Sequence, residues 1–324
     1  DAAASGHRHL LILPGGFAEA GAAGQARDRE LQQLIVARGL TVAGPNCAGI
    51  IHLPPAARFA ATFLRDLPPG PNRHGAVAFI TQSGALGEEA IAAAHALSVP
   101  LGTVVSVGNA TQLGIGDYLD YLGNEPDTSA VLLYVESVAD PEAFIRIARR
   151  VAAQKPLVAL IGGRTAAGAA AAARHTGAAA LSDQAMDAFC NKAAMLRVTS
   201  LRALLLAGKG FGAFPQGIGR RVLILSNSGG PGVICADAAA AQGLTLASLP
   251  AAMAARLKAA LPPEAAVANP IDLLADAREE RFGLTLDAAL VEGKGAFDAV
   301  LGIHVVPFMV DADPIIARLA QQAD

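Results

Sequence analysis

The sequence predicts tandem doubly wound α/β domains with mostly parallel sheets. Three observations carry this. Short Val/Ile/Leu runs alternate with longer, Ala-rich periodic segments along the chain. The short runs are continuously apolar rather than strictly alternating, as parallel strands covered on both faces require. The 324 residues are 53% hydrophobic and 16% charged, which is ample for two or three buried cores and excludes a disordered chain. Much of that apolar content is Ala, and Gly is frequent besides, which suits helices packed closely on sheets.

The elements follow in order. A strand at 9–13 is followed by a helix at 27–38 and a second strand that ends in Gly44-Pro45-Asn46. The Pro/Gly-rich stretch Leu67-Pro68-Pro69-Gly70-Pro71-Asn72 breaks the pattern. Strands are then expected at 76–81, 102–107, 130–136 and 157–161, with helices at 86–97, 141–153 and 183–194. A second break runs through Gly212, Pro215, Gly217 and Gly219. Beyond it come a strand at 221–226, a helix at 233–242 and a strand at 299–305. These breaks predict domains at 1–66, 73–210 and 219–324. The first is short for an independent domain, and the last has no evident closing strand. With no Met at Asp1, the chain reads as a fragment of a longer polypeptide.

Composition excludes several classes. Net charge is -3, so no basic field attracts polyanions, and 4% aromatics with no Trp weakens any reading that needs stacking platforms for nucleic acid. No apolar run reaches the roughly 18 residues of a membrane helix, and no signal peptide is visible. Cys47, Cys190 and Cys235 are far apart and form no metal spacing, so no metal site is expected and a reduced, cytoplasmic compartment is.

The strongest internal signal is a repeat. Strand 76–80 runs into Thr81-Gln82-Ser83-Gly84-Ala85-Leu86-Gly87, and strand 222–225 runs into Ser226-Asn227-Ser228-Gly229-Gly230-Pro231-Gly232. Each reads strand, hydroxyl, amide, Ser, Gly, helix. Glycines let the backbone approach a ligand closely. The helix N-terminus offers free N–H groups and a partial positive charge of roughly half a unit. Together they make an anion site. One such turn is ordinary in an α/β domain, but two near-identical copies point to a shared anion. Neither copy is a P-loop, and neither is a GxGxxG turn followed by a ribose-binding acid, which disfavours a nicotinamide dehydrogenase.

Of seven histidines, six have structural readings: His7, His9 and His74 on the surface, His52 in a Pro-rich loop, His95 near a helix end and His304 in a strand. His175 differs. It lies in Arg174-His175-Thr176-Gly177, after strand 156–161, Gly162-Gly163-Arg164-Thr165 and a small-residue helix. That is the carboxyl side of a parallel sheet, where α/β domains place chemistry. Spacing alone leaves base, nucleophile and surface loop histidine open. With no second His or Cys nearby, a metal ligand is disfavoured. Glu136, which closes strand 130–136, is the natural companion: its carboxylate can accept from one ring nitrogen and leave the other free to attack.

These residues, in this order, resemble the NDP-forming acyl-CoA synthetases, including ADP-forming acetyl-CoA synthetase, and the related succinyl-CoA synthetases. The resemblance covers nearly the whole chain. It is marked by Gly44-Pro45-Asn46-Cys47-Ala48-Gly49, both turns, Tyr134-Val135-Glu136, Gly163-Arg164-Thr165, His175-Thr176-Gly177 and Asn269-Pro270-Ile271-Asp272. It implies Rossmann/flavodoxin-like folds: part of a CoA-binding domain at 1–66, a phosphohistidine domain at 73–210 and a second flavodoxin-type domain, truncated, at 219–324. It implies that acyl-CoA, ADP and phosphate are interconverted with acid, ATP and CoA, with His175 as the phosphorylated histidine and Glu136 orienting it. Ser83, Gly84, Ala85, Ser228, Gly229 and Gly230 would then grip the phosphoryl group at two helix ends. Asn46, Cys47 and Asn109 would line the CoA/acyl site, with Cys47 reading as a packing residue rather than a nucleophile. Two family parts are absent: the N-terminal Gly-rich CoA turn, and the ATP-grasp domain that holds ADP/ATP with Mg2+. The ATP-grasp domain is expected in the same chain or on a partner subunit, and a homo-oligomer is expected. The competing reading is a catalytically reduced, acyl-CoA-sensing region of a protein lysine acetyltransferase. Intact His175, Glu136, Gly229 and Gly230 favour the enzyme.

Overall fold

The continuous apolar runs become parallel strands in both units of the chain. The computed structural model describes residues 1–72, 75–165, 167–168, 182–214, 217–307 and 310–321. It divides into Asp1–Gln216 and Gly217–Asp324.

In the first unit, β1 (His9–Leu11), α1 (Gly21–Arg38) and β2 (Thr41–Ala43) form a small parallel pair backed by a helix. There follow β3 (Gly49–His52), β4 (Phe59–Thr62), β5 (Ala76–Thr81), α2 (Gly84–Leu97), β6 (Leu101–Ser106), α3 (Ile115–Asn124) and β7 (Thr128–Val135). Then come α4 (Pro141–Ala152), β8 (Leu157–Ile161), α5 (Asp183–Lys192), β9 (Leu196–Val198) and α6 (Leu201–Ala213). Seven strands form one sheet in the order β4-β3-β6-β5-β7-β8-β9, parallel from β6 to β9.

Alternate residues of β5 and β7 feed two cores. Ala78, Ile80, Val131 and Leu133 pack with α3 and α4 residues such as Leu119, Leu122 and Phe144. Val77, Phe79 and Leu132 pack with Ile91 of α2 and with Leu204 and Leu205 of α6. Burial on both faces is why these strands read as unbroken apolar runs.

One arrangement departs from the sequence reading. β3 lies in the stretch expected to close the 1–66 piece, yet it pairs antiparallel with β6 of the central sheet. The linker at 67–72 therefore does not separate two sheets. His52 ends β3 rather than lying in a loop. It is buried, with Nδ1 2.8 Å from Thr103 Oγ1 on β6.

The second unit contains β10 (Arg221–Ser226), α7 (Gly229–Ala241), β11 (Thr245–Leu246), α8 (Ala251–Ala260), β12 (Ile271–Asp272), α9 (Glu279–Val291), β13 (Ala299–Ile303) and α10 (Asp313–Ala320). All pairings are parallel to β10: β11 at its start, β12 at its end and β13 along residues 222–226. The gap between β11 and β12 is bridged by one side chain. Asn269 Oδ1 accepts from Ile224 N at 3.0 Å, and Nδ2 donates to Val222 O at 2.7 Å and Ala247 O at 2.9 Å. Among the described residues, no helix is long and apolar enough to cross a membrane.

Candidate functional site

The two repeated turns share one hydrogen-bonded design. In the first, Thr81 Oγ1 donates to Ser83 O at 2.8 Å and accepts from Ser83 N at 3.0 Å. In the second, Ser226 Oγ donates to Ser228 O at 2.8 Å and accepts from Ser228 N at 3.1 Å. The hydroxyl closing each strand thus folds the chain into the helix that follows. Its side chain is spent on the turn, not on a ligand.

The amide residue is also engaged internally. Gln82 Oε1 accepts from Glu136 N at 2.6 Å and Ser137 N at 3.1 Å, while Nε2 donates to Ser137 O at 2.9 Å. Asn227 Nδ2 donates to Val305 O at 2.8 Å, and its Oδ1 accepts from Val305 N at 2.8 Å. Thr81 pairs with Tyr134 and Ser226 with Ile303, so each amide ties the residue two beyond its strand partner. Glu136 and Val305 occupy equivalent places in the two units.

What remains for an anion is backbone and serine. Ser83 caps α2, accepting from Leu86 N at 3.4 Å, with Gly84 and the exposed Ala85 opening the helix. Ser228 precedes α7 and makes no side-chain capping bond, and Gly229 and Gly230 are exposed. The turns differ in one respect. Asp272 Oδ2 would lie 3.1 Å from a Cβ placed on Gly229, and its Oδ1 accepts from Leu274 N. An anion at the second turn would share the N–H field with a carboxylate.

Glu136 follows β7, half-buried beside the first turn. Tyr134 stands two residues before it, so the two side chains share one face of the extended chain. Burial first, then the nearby Glu136 carboxylate, push the Tyr134 phenol up to about 12. It is therefore a neutral donor at physiological pH. A Cβ on Gly162, which follows β8, would meet the Tyr134 hydroxyl at 3.3 Å. His175 lies outside the described residues.

The three residues assigned to the CoA/acyl site fall at one place. Asn46 Nδ2 donates to Asn109 Oδ1 at 3.1 Å, and Cys47 is the next residue. Gly108 (φ +64) makes the approach possible, because a Cβ there would lie 2.2 Å from Pro45 O. Cys47 is buried, its Sγ 3.5 Å from Ile12 O, and burial pushes its thiol up, away from the reactive thiolate. Thr111 Oγ1 donates to Asp28 Oδ1 at 2.6 Å, tying the Asn109 loop to α1.

Sequence reasoning missed Glu19. It accepts from Asn109 Nδ2, from Gly16 N and, at 3.2 Å, from Phe17 N. Burial pushes its carboxyl up, but these hydrogen bonds outweigh that and hold it below the usual range. Gln82 and Tyr134 stood inside quoted motifs but carried no role of their own. Nothing in sequence spacing links Glu19 to Asn109, 90 residues away. Among the described residues, no group of three or more His, Cys, Asp or Glu could hold a metal.

Residues 74–211 match the succinyl-CoA ligase like flavodoxin domain, and residues 222–322 match the Ligase-CoA domain. The chain is 34% identical over 309 residues to an acetate–CoA ligase (ADP-forming) II subunit alpha of Pyrococcus furiosus, covering 95% of this chain and 65% of that protein. It is 36% identical over 282 residues to an acetate–CoA ligase (ADP-forming) I of Archaeoglobus fulgidus, covering 85% of this chain and 39% of that protein. A solved acetyl-coenzyme A synthetase 1 from Ca. Korarchaeum cryptofilum, in complex with phosphate and ADP, superposes with a TM-score of 0.87. It is 30% identical, covering all of this chain and 69% of the other. The chain spans about two-fifths to two-thirds of the length of these curated relatives.

Proposed function

This chain belongs to the ADP-forming acyl-CoA synthetase family, and from that premise we propose that it carries the acyl- and phosphoryl-handling half of such an enzyme. The overall reaction interconverts acyl-CoA, ADP and phosphate with free acid, ATP and CoA. A phosphate oxygen attacks the thioester carbonyl, the CoA thiolate leaves, and an acyl phosphate forms. The His175 imidazole then attacks phosphorus, and the P–O bond to the acyl group breaks to release the carboxylate. ADP takes the phosphoryl group from His175 and restores the free imidazole.

Phosphoryl transfer needs positioning and charge stabilisation more than covalent help from the protein. Each turn supplies that within its own unit: Ser83, Gly84 and Ala85 at one helix end, Ser228, Gly229 and Gly230 at the other. Glu136 holds one imidazole nitrogen of His175 so that the other faces phosphorus. Asn46 and Asn109 form the polar wall of the CoA/acyl site, with Cys47 packed behind them. We assign 1–66 to CoA binding, 73–210 to the phosphohistidine domain and 219–324 to the second flavodoxin-type domain.

ADP/ATP and its Mg2+ are assigned to an ATP-grasp domain, in the same polypeptide or on a partner subunit. The described residues offer no cluster of metal ligands of their own. A cytoplasmic homo-oligomer acting on a small-molecule acid completes the proposal. The lysine acetyltransferase reading has no support among the relatives named above, which are ligases.

The observation that carries the proposal is the duplicated turn, the same hydroxyl fold and amide tie in both units, each leaving its helix N–H groups to a ligand. The test is incubation of the complete enzyme with γ-labelled ATP and Mg2+. Wild type should gain acid-labile label, His175→Ala none, and Glu136→Gln should gain it slowly while folding normally. Equal label on wild type and His175→Ala would overturn the assignment.

A further inference from the structure

Glu136 is fixed through its backbone, with a phenol beside its side chain. Its backbone N–H is fixed by Gln82 Oε1 at 2.6 Å, and the neighbouring Ser137 is gripped through both its N–H and its carbonyl by the same amide. Tyr134 stands two residues earlier on the same face of the extended chain, and the carboxylate lies near enough to raise its phenol. Gln82 sits inside the first anion turn, between Thr81 and the cap Ser83. A residue of the phosphate-binding turn therefore also sets where the carboxylate beside it can stand. In the second unit the equivalent tie, Asn227 to Val305, ends on an apolar residue. The tie is common to both turns, and only the first one places an ionisable side chain.

We propose that Gln82 and Tyr134 are positioning residues: Gln82 registers the backbone of Glu136 against the anion turn, and the Tyr134 hydroxyl holds its carboxylate in the orientation that meets the histidine. This rests on the phosphohistidine reading above. Neither side chain touches the phosphoryl group. Each acts by holding Glu136, and misplacing a catalytic contact by about 1 Å costs up to roughly 100-fold.

The test is a double-mutant cycle in the complete enzyme. The rate of acid-labile labelling by γ-labelled ATP is read for wild type, Gln82→Ala, Tyr134→Phe, Glu136→Gln and the two double variants. The single variants Gln82→Ala and Tyr134→Phe should each slow labelling roughly 10-fold or more, without lowering the final label per chain. In the Glu136→Gln background the same changes should have almost no further effect, because what they position is gone. A general structural role would instead slow both backgrounds equally.

Amide exchange gives a readout independent of chemistry: residues 136–137 should lose protection in Gln82→Ala and keep it in Tyr134→Phe. Full additivity, or unchanged protection at 136–137, overturns the inference while the phosphohistidine reading stands. No acid-labile label on wild type overturns both.

Discussion

Replacing Asn269 with Ala should unfasten the sheet of the second unit. The side chain bridges the gap between β11 and β12 and makes three hydrogen bonds, to Ile224 N, Val222 O and Ala247 O. Ile224 is fully buried on β10, so water cannot readily replace the lost acceptor. At about 1 kcal/mol for each bond, the loss is about 3 kcal/mol. For a unit of this size that lowers the melting temperature by about 15 °C. Asn269→Asp keeps the acceptor for Ile224 N but turns a carboxylate toward two carbonyls, and should be at least as destabilising at neutral pH. Calorimetry gives the shift, and amide exchange over residues 221–226 localises it. A drop under about 3 °C, about 0.5 kcal/mol, with Ile224 still protected would refute the bridging role.

Two titrations probe the site directly. Glu19 has a depressed pKa in the folded chain, so its contribution to stability is complete above the ordinary value of 4.5 and is lost as pH falls through its own lower midpoint. A carboxyl-carbon NMR titration should find that low midpoint, and Asn109→Ala should raise it. An unmoved midpoint would remove Asn109 as its partner. Tyr134 is raised, so the stability it adds is whole below its ordinary value of 10.0 and is lost as pH climbs from there toward about 12. In an ultraviolet titration Glu136→Gln should bring the phenol down only part of the way, because burial is the larger cause. A full return would mean that burial counts for little.

The helical glycines show why some elements were legible and others were not. Strands β5, β8 and β10 stand where their apolar runs predicted, because a strand buried on both faces leaves a compact, local pattern. Helix α6 went unpredicted. Its Gly208, Gly210 and Gly212 argue against a helix by local propensity. Yet a Cβ on Gly208 would meet Leu132 at 2.9 Å and Val77 at 3.1 Å, so the glycine is what lets the helix lie against the sheet. β3 was missed for a related reason. Three of its residues pair with a strand about fifty positions later, and nothing local announces that partner.

The sequence alone carries the α/β class, the two repeated strand–turn–helix motifs and the family, because each is written in contiguous residues whose spacing reflects strand, turn and helix geometry. It could not decide what the individual side chains do. The turn hydroxyls close the turns, the amides Gln82 and Asn227 lock neighbouring strands, Asn269 stands in for a missing strand residue, and Glu19 joins Asn109. Those roles depend on hydrogen bonds between segments tens of residues apart, and such partners exist only once the chain has folded.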